Sequence, residues 1–239
     1  MKSFSSFLRP AVLMAALPAA LTFTACSDDD TSVEPVPDRG QIQLVHAAPY
    51  NKVKVDLLAD DSKLAEAEYA KASGYQNINA GNRSIKIKAS ATQADVVTPF
   101  SLSVPKDKRY SVYVYNPTAS TVGYLSIEDD LTAPTSGQAK VRFVNLGYEA
   151  GSITLLPQGS GAQPIASGVT SGQFSSTYTT VEPRVYVLEA RQAGGQNNTL
   201  TSKSVKFESN KIYTVLLRGR NSQAVPADEQ LTLELLTNN

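Results

Sequence analysis

The chain contains one histidine, His46, and one cysteine, Cys26, so the chemistry available to it is narrow. Any Ser-His-Asp relay or histidine-bound metal would have to pass through His46. No G-x-S-x-G elbow, H-E-x-x-H pair or G-x-x-x-x-G-K loop occurs in the sequence. A zinc site needs several His or Cys ligands, which cannot be assembled here. The acidic clusters Asp60-Asp61 and Glu128-Asp129-Asp130 lack the spacing of a calcium loop and read as solvated turn acids. The expectation is therefore a chain with no catalytic residues, no metal and no cofactor. His46 and Asn145, which end similar apolar stretches, are expected to be structural polar groups that tie a strand end to a neighbouring loop.

Cys26 ends a short apolar run. Residues 1–9 carry Lys2 and Arg9 and no acid, and residues 11–23 are apolar apart from Thr22 and the interrupting Pro18. A positive start followed by an apolar stretch too short to span a bilayer is the pattern of an export signal. The stretch Phe23-Thr24-Ala25-Cys26 resembles the bacterial lipobox. The resemblance implies cleavage before Cys26 and covalent lipid on its sulfur, with two or more acyl chains giving durable attachment. Ser27, Asp28, Asp29 and Asp30 resemble the acidic signal that sends some lipoproteins to the outer face of the outer membrane. The expected location is the outer membrane, lipid-anchored and facing the cell exterior.

These readings divide the chain into a signal peptide over 1–25 and a lipidated, acidic tether over 26–40. Pro35, Pro37 and five acids leave the tether no apolar cluster to bury, so it should be extended. Three of the 22 basic and five of the 22 acidic residues precede Gln41, so the remainder carries a balance of only +2. That gives no basic footprint for nucleic acid. A single cysteine permits no intrachain disulfide, and the folded part must hold by packing alone.

The elements that must position any site repeat along the chain. Gln41-Ile42-Gln43-Leu44-Val45-His46 reads like Ala139-Lys140-Val141-Arg142-Phe143-Val144-Asn145, and Val55-Asp56-Leu57-Leu58 like Ile153-Thr154-Leu155-Leu156. Ser73-Gly74-Tyr75 answers to Ser171-Gly172-Gln173-Phe174, and Arg109-Tyr110-Ser111-Val112 to Ile212-Tyr213-Thr214-Val215. Offsets of 99, 98, 98 and 103 residues stay in chain order, as in a duplication with small loop insertions. The copies span 41–132 and 139–237. Within each the dominant period is two, with turn formers every eight to twelve residues. The predicted fold is all-β: two tandem antiparallel β-sandwich domains, immunoglobulin-like or prealbumin-like. Residues 63–72 are the best helical candidate. Their counterpart in the second copy contains Pro164 and Gly168, so they are read as extended.

Val45-His46-Ala47-Ala48-Pro49, Val55-Asp56-Leu57, Ser73-Gly74-Tyr75 and Lys108-Arg109-Tyr110-Ser111-Val112 together resemble the bacterial domain of unknown function 4397. The resemblance is closer in the first copy, since Asn145-Leu146-Gly147 replaces the His-Ala-Ala-Pro stretch in the second. It implies a β-sandwich and an envelope location, and no activity.

Eleven tyrosines and no tryptophan complete the inventory. Tyr75, Tyr110, Phe174 and Tyr213 recur between copies and are expected in the core. Alternation puts Tyr113 and Tyr115 on the opposite face of the Tyr110 strand, where exposed rings could stack on sugars or anchor a protein contact. The functional expectation is a non-catalytic binding or adhesion module for a glycan or a partner protein, held to the membrane by its lipid. The alternative is a structural spacer or an accessory subunit of an envelope complex.

Overall fold

A computed structural model of the protein describes residues 37–192, 194 and 198–239. The described residues fold as strands joined by turns, with no helix. Strands β1 (Arg39–His46), β4 (Gln76–Asn79), β7 (Arg109–Thr118) and β8 (Thr121–Glu128) form one sheet in the order β4-β1-β7-β8. Strands β2 (Val55–Ala59), β3 (Ser62–Ala67), β5 (Gly81–Ala89) and β6 (Phe100–Val104) form a second, ordered β3-β2-β5-β6. The two sheets close on a core that includes Ile42, Leu44, Val55, Leu57, Ile85, Ile87, Val112 and Val114.

The second half uses the same strand order. Strands β9 (Ala139–Asn145), β12 (Gln173–Phe174), β16 (Ile212–Arg218) and β17 (Thr232–Thr237) form the sheet β12-β9-β16-β17, with β13 (Thr179–Val181) also on β9. Strands β10 (Ile153–Pro157), β11 (Ala166–Val169), β14 (Val185–Gln192) and β15 (Thr199–Lys206) form β11-β10-β14-β15. Their shared core includes Phe143, Ile153, Leu155, Leu188, Phe207, Val215 and Leu217. The all-β expectation holds. Residues 63–67, in the helical candidate, lie in strand β3.

The pairing departs from purely antiparallel sheets. Strand β1 runs parallel to β7, with Ile42 opposite Tyr110, and β9 runs parallel to β16, with Val141 opposite Tyr213. In each half the chain leaves the first strand, builds the facing sheet and returns after an even number of reversals. A local hydrophobic pattern reports strands but not partners this distant in sequence.

A third apolar cluster joins the halves. Val45, Ala47, Tyr113 and Ile127 of the first sheet meet Val144, Leu146 and Leu216 of the sheet built on β9. Alternation along β1 sends Ile42 and Leu44 into the first core and Val45 into this seam. Along β9, Val141 and Phe143 face the second core and Val144 faces the seam. The molecule is thus a stack of four β layers whose two middle sheets are covered on both sides. That is why all seven residues of β9 and all seven of β16 are buried.

The stack has two poles. Arg39, which starts β1, pairs with Asn79, and Arg109 Nη1 donates to the Asn238 carbonyl oxygen at 3.0 Å, so residue 39 and the C-terminal end share one pole. Residues 47–54, 146–152 and 219–231 lie at the other, about 25 Å away along the eight residues of β1. Gly219 is pinned at that pole with φ +100°. A Cβ there would fall 2.7 Å from the Gln230 carbonyl carbon and 2.8 Å from the Glu229 oxygen. Gly219→Ala should therefore cost about 2 kcal/mol in a urea melt, combining a left-handed backbone with overpacking. A change below roughly 0.5 kcal/mol would mean the loop re-forms freely.

Candidate functional site

The chemically richest region is the polar end of the seam. Arg142 on β9 projects between the middle sheets and pairs with Asp129, both fully buried. The other Asp129 oxygen accepts from Ser111 Oγ at 2.6 Å and from Tyr75 OH at 2.7 Å. Gln43 Nε2 donates to Ser111 Oγ at 2.7 Å. Arg142 Nη2 also donates to Thr214 Oγ1 at 3.1 Å, Thr214 donates to Asn238 Oδ1 at 2.9 Å, and Asn238 Nδ2 donates to Tyr75 OH at 3.0 Å. Burial, followed by the Asp129 carboxylate, pushes the Tyr75 phenol up, so it remains a proton donor throughout the physiological range. The network joins strands of both halves, and its Arg142–Asp129 pair is buried between them. Satisfied hydrogen bonds of this kind fix the orientation of the strands they join.

Asp129 is therefore not the solvated turn acid expected from sequence. Other acids of the two clusters are exposed, as expected: Glu128 pairs with Lys108 at 2.7 Å, Asp60 with Arg83 at 2.9 Å and Asp61 with Lys86 at 2.5 Å. Asp130 pairs with Lys140 at 2.7 Å. Its partial burial works against ionisation, but hydrogen bonds from Lys140 and Thr132 outweigh it and hold its pKa at about 2. Among the described residues no group of His, Cys, Asp and Glu is arranged to hold a metal ion.

His46 and Asn145 occupy equivalent strand ends and make equivalent bonds. His46 Nε2 lies 3.0 Å from the Val53 carbonyl oxygen, and the Ala48 amide donates to Nδ1 at 3.3 Å. Asn145 Nδ2 donates to Gly151 O at 3.0 Å and to Val169 O at 2.8 Å, while the Gly147 amide donates to Oδ1 at 3.1 Å. In both, one side chain satisfies an amide two residues on and a carbonyl in the following loop. Burial lowers the His46 pKa below its ordinary value of 6.5, with hydrogen bonds to Val53 and Asn51 opposing it. A protonated ring would present a second donor to the Ala48 amide.

The folded state thus binds the proton less readily than the unfolded chain. The stability His46 contributes is full above pH 6.5 and declines as pH falls from there through the lowered folded pKa. His46→Asn should cost about 1 kcal/mol at pH 7.5, and the gap to the native protein should narrow toward pH 5. A gap independent of pH in parallel urea titrations would rule this out.

Tyr113 and Tyr115 require a correction as ligand contacts. Tyr113 is fully buried in the seam, and Tyr115 packs half-buried against the same cluster, with its hydroxyl beside Gly172. Alternation did turn them from the first core, but the second half covers that face. Tyr213 lies in its core and Tyr110 packs against its own, whereas Tyr75 and Phe174 serve the seam. Cys26, Ser27, Asp28, Asp29 and Asp30 lie outside the described residues.

The sequence reading passed over the pole opposite residue 39. Tyr50 and Val53 are among the few large apolar side chains left exposed, at 37% and 49%. The Tyr50 amide donates to Asn116 Oδ1 at 3.0 Å, Tyr148 meets its ring at 81° with centroids 5.0 Å apart, and the Arg220 guanidinium lies 4.2 Å from its ring centre. Lys52 pairs with Glu229 at 2.7 Å and Asp228 at 3.2 Å, and Arg220 with Glu229 at 3.1 Å. The three loops involved, residues 47–54, 146–152 and 219–231, are separated by roughly 65 residues or more. One signal was available: Tyr50 and Tyr148 stand 98 residues apart, the offset of the repeat.

Residues 40–156 match the domain of unknown function DUF4397, which spans the first half and continues through β9 into β10. No curated protein matches the chain.

Proposed function

We propose that the protein is an outer-membrane lipoprotein, anchored through Cys26 and exposed at the cell surface, that works as a non-catalytic binding or adhesion module for a glycan or a partner protein. We read its folded part as two tandem DUF4397-like copies. The shared strand order and the matching His46 and Asn145 bonds support that reading. The observation that carries the function is polarity: residue 39, where the tether enters, lies at one end of the stack, and the loop cluster around Tyr50 lies at the other. A chain tethered before β1 would hold that cluster away from the lipid. The non-catalytic reading is supported by His46, whose ring nitrogens are both engaged by backbone groups.

Cys26→Ala should abolish incorporation of labelled palmitate and release the protein from membranes. Protease applied to intact cells should remove the native protein. Protection from protease would place it on an inner leaflet, and a mature product free in the medium with an unmodified thiol would end the lipoprotein reading.

The buried Arg142–Asp129 network favours one further reading, a rigid spacer or accessory subunit, because it fixes the two halves as one block. A stable partner recovered on gentle purification, with no glycan binding, would select it.

A further inference from the structure

Residues 219–231 link β16 to β17 with thirteen residues. The corresponding connection in the first half, from β7 to β8, takes only residues 119 and 120. The longer link is therefore surplus to closing the hairpin, and ordered loops of this length usually carry function. It is held in place rather than loose. The Tyr148 amide donates to Gly219 O, the Asn221 amide to Tyr148 O, and the Arg220 amide to Glu229 O, while Asn221 Nδ2 donates to Glu149 O at 3.2 Å. The loop leans across both halves and frames Tyr50.

We infer that this pole, centred on Tyr50 and framed by residues 219–231, is a binding face for a neutral glycan. The inference rests on the binding-module reading and specifies its site and ligand class. Three features select the ligand. Tyr50 is partly exposed yet fixed by Tyr148 and Arg220, so docking the C–H face of a sugar against it costs little side-chain entropy. Lys52 and Arg220 are both matched by Asp228 and Glu229, leaving no surplus positive charge for a polyanion. Two exposed side chains of the loop, Asn221 and Gln223, are amides that can exchange hydrogen bonds with sugar hydroxyls. The exposed apolar surface, Tyr50 and Val53, is small beside the core of a standard protein interface, which buries about 800 Å² per partner.

The test is affinity electrophoresis of the purified full-length protein in gels containing soluble β-glucan, mannan, xylan or galactan, with alginate as the acidic control. At least one neutral polymer should retard the native protein. Tyr50→Ala should weaken that retardation roughly tenfold or more, and Asn221→Ala combined with Gln223→Ala should weaken it severalfold. Val185→Thr, on the distant outer sheet, should leave it unchanged. The amide variant gives up the Asn221–Glu149 hydrogen bond, so its melt should fall by no more than about 1 kcal/mol, which separates a lost site from a lost fold. Retention of the neutral polymer by both pole variants would overturn this site while leaving the binding-module reading intact. Retardation by alginate alone, or by none of the polymers, would overturn the ligand class. A partner protein whose capture depends on Tyr50 would overturn it too and keep the module reading.

Discussion

Arg142→Met should lower the unfolding free energy by about 3–5 kcal/mol, because it removes one partner from a fully buried ion pair and strands the other. For a folded part of this size that corresponds to a fall in Tm on the order of 10 °C. The Asp129 carboxylate would keep only the neutral donors Ser111 and Tyr75, and Thr214 would lose its guanidinium contact. The loss should concentrate in the seam, since neither core cluster contains these residues. Calorimetry offers a second readout: the native stack should melt in one transition, and the variant should begin to separate two. Pairing Arg142→Met with Asp129→Leu should recover most of the lost stability, because no buried charge is left unmatched. A single-variant cost below about 1 kcal/mol would mean that water reaches Asp129 and that the seam does not hold the halves together.

Tyr113→Ala should cost about 3–5 kcal/mol, comparable to deleting any large buried aromatic. Reading Tyr113 as an exposed contact leads to the opposite result, weakened attachment with an unchanged melting temperature. Tyr113→Phe separates the ring from its hydroxyl. The phenolic oxygen is buried without a hydrogen-bond partner, so the phenylalanine variant should be as stable as the native protein or slightly more so. Tyr115→Ala should fall well below Tyr113→Ala, because its ring is only half-buried. If Tyr113→Ala melted with the native protein in urea, the middle sheets would have to separate in solution.

The same tyrosines mark where local pattern stopped being informative. Period-two alternation along β7 correctly put Tyr113 and Tyr115 on the face opposite Tyr110. It could not say what covered the second face. In a free-standing sandwich, alternating residues turned away from the core meet water and tend to be polar. Here Val45, Tyr113, Val144 and Leu216 are apolar on that face because a second sheet lies against it. Continuous apolar stretches at Leu44–Val45 and Phe143–Val144 held that information, and they could equally be read as ordinary strand composition.

The buried polar seam left even less trace. Arg142 stands 13 residues from Asp129 and 72 from Thr214, and Tyr75 stands 163 from Asn238. Each residue is unremarkable in its own segment, and the pairing exists only after both halves have folded and docked. His46 and Asn145 fared better. Each bonds to groups within the next loops of its own half, so their matching positions in the repeated spacing pointed to the same role.

By itself the sequence determined an all-β chain, the positions of most strands, the approximate hundred-residue offset between matching stretches and the scarcity of reactive side chains. These follow from local steric preference, alternation and composition, all of which act within a few residues. Tertiary structure alone decided that β1 pairs parallel with β7, that both middle sheets are buried on two faces, and that Tyr50 rather than Tyr113 reaches solvent. Those outcomes depend on which surfaces meet after the chain has crossed between layers. The free energy that settles them comes from area and charge buried between residues far apart in the chain.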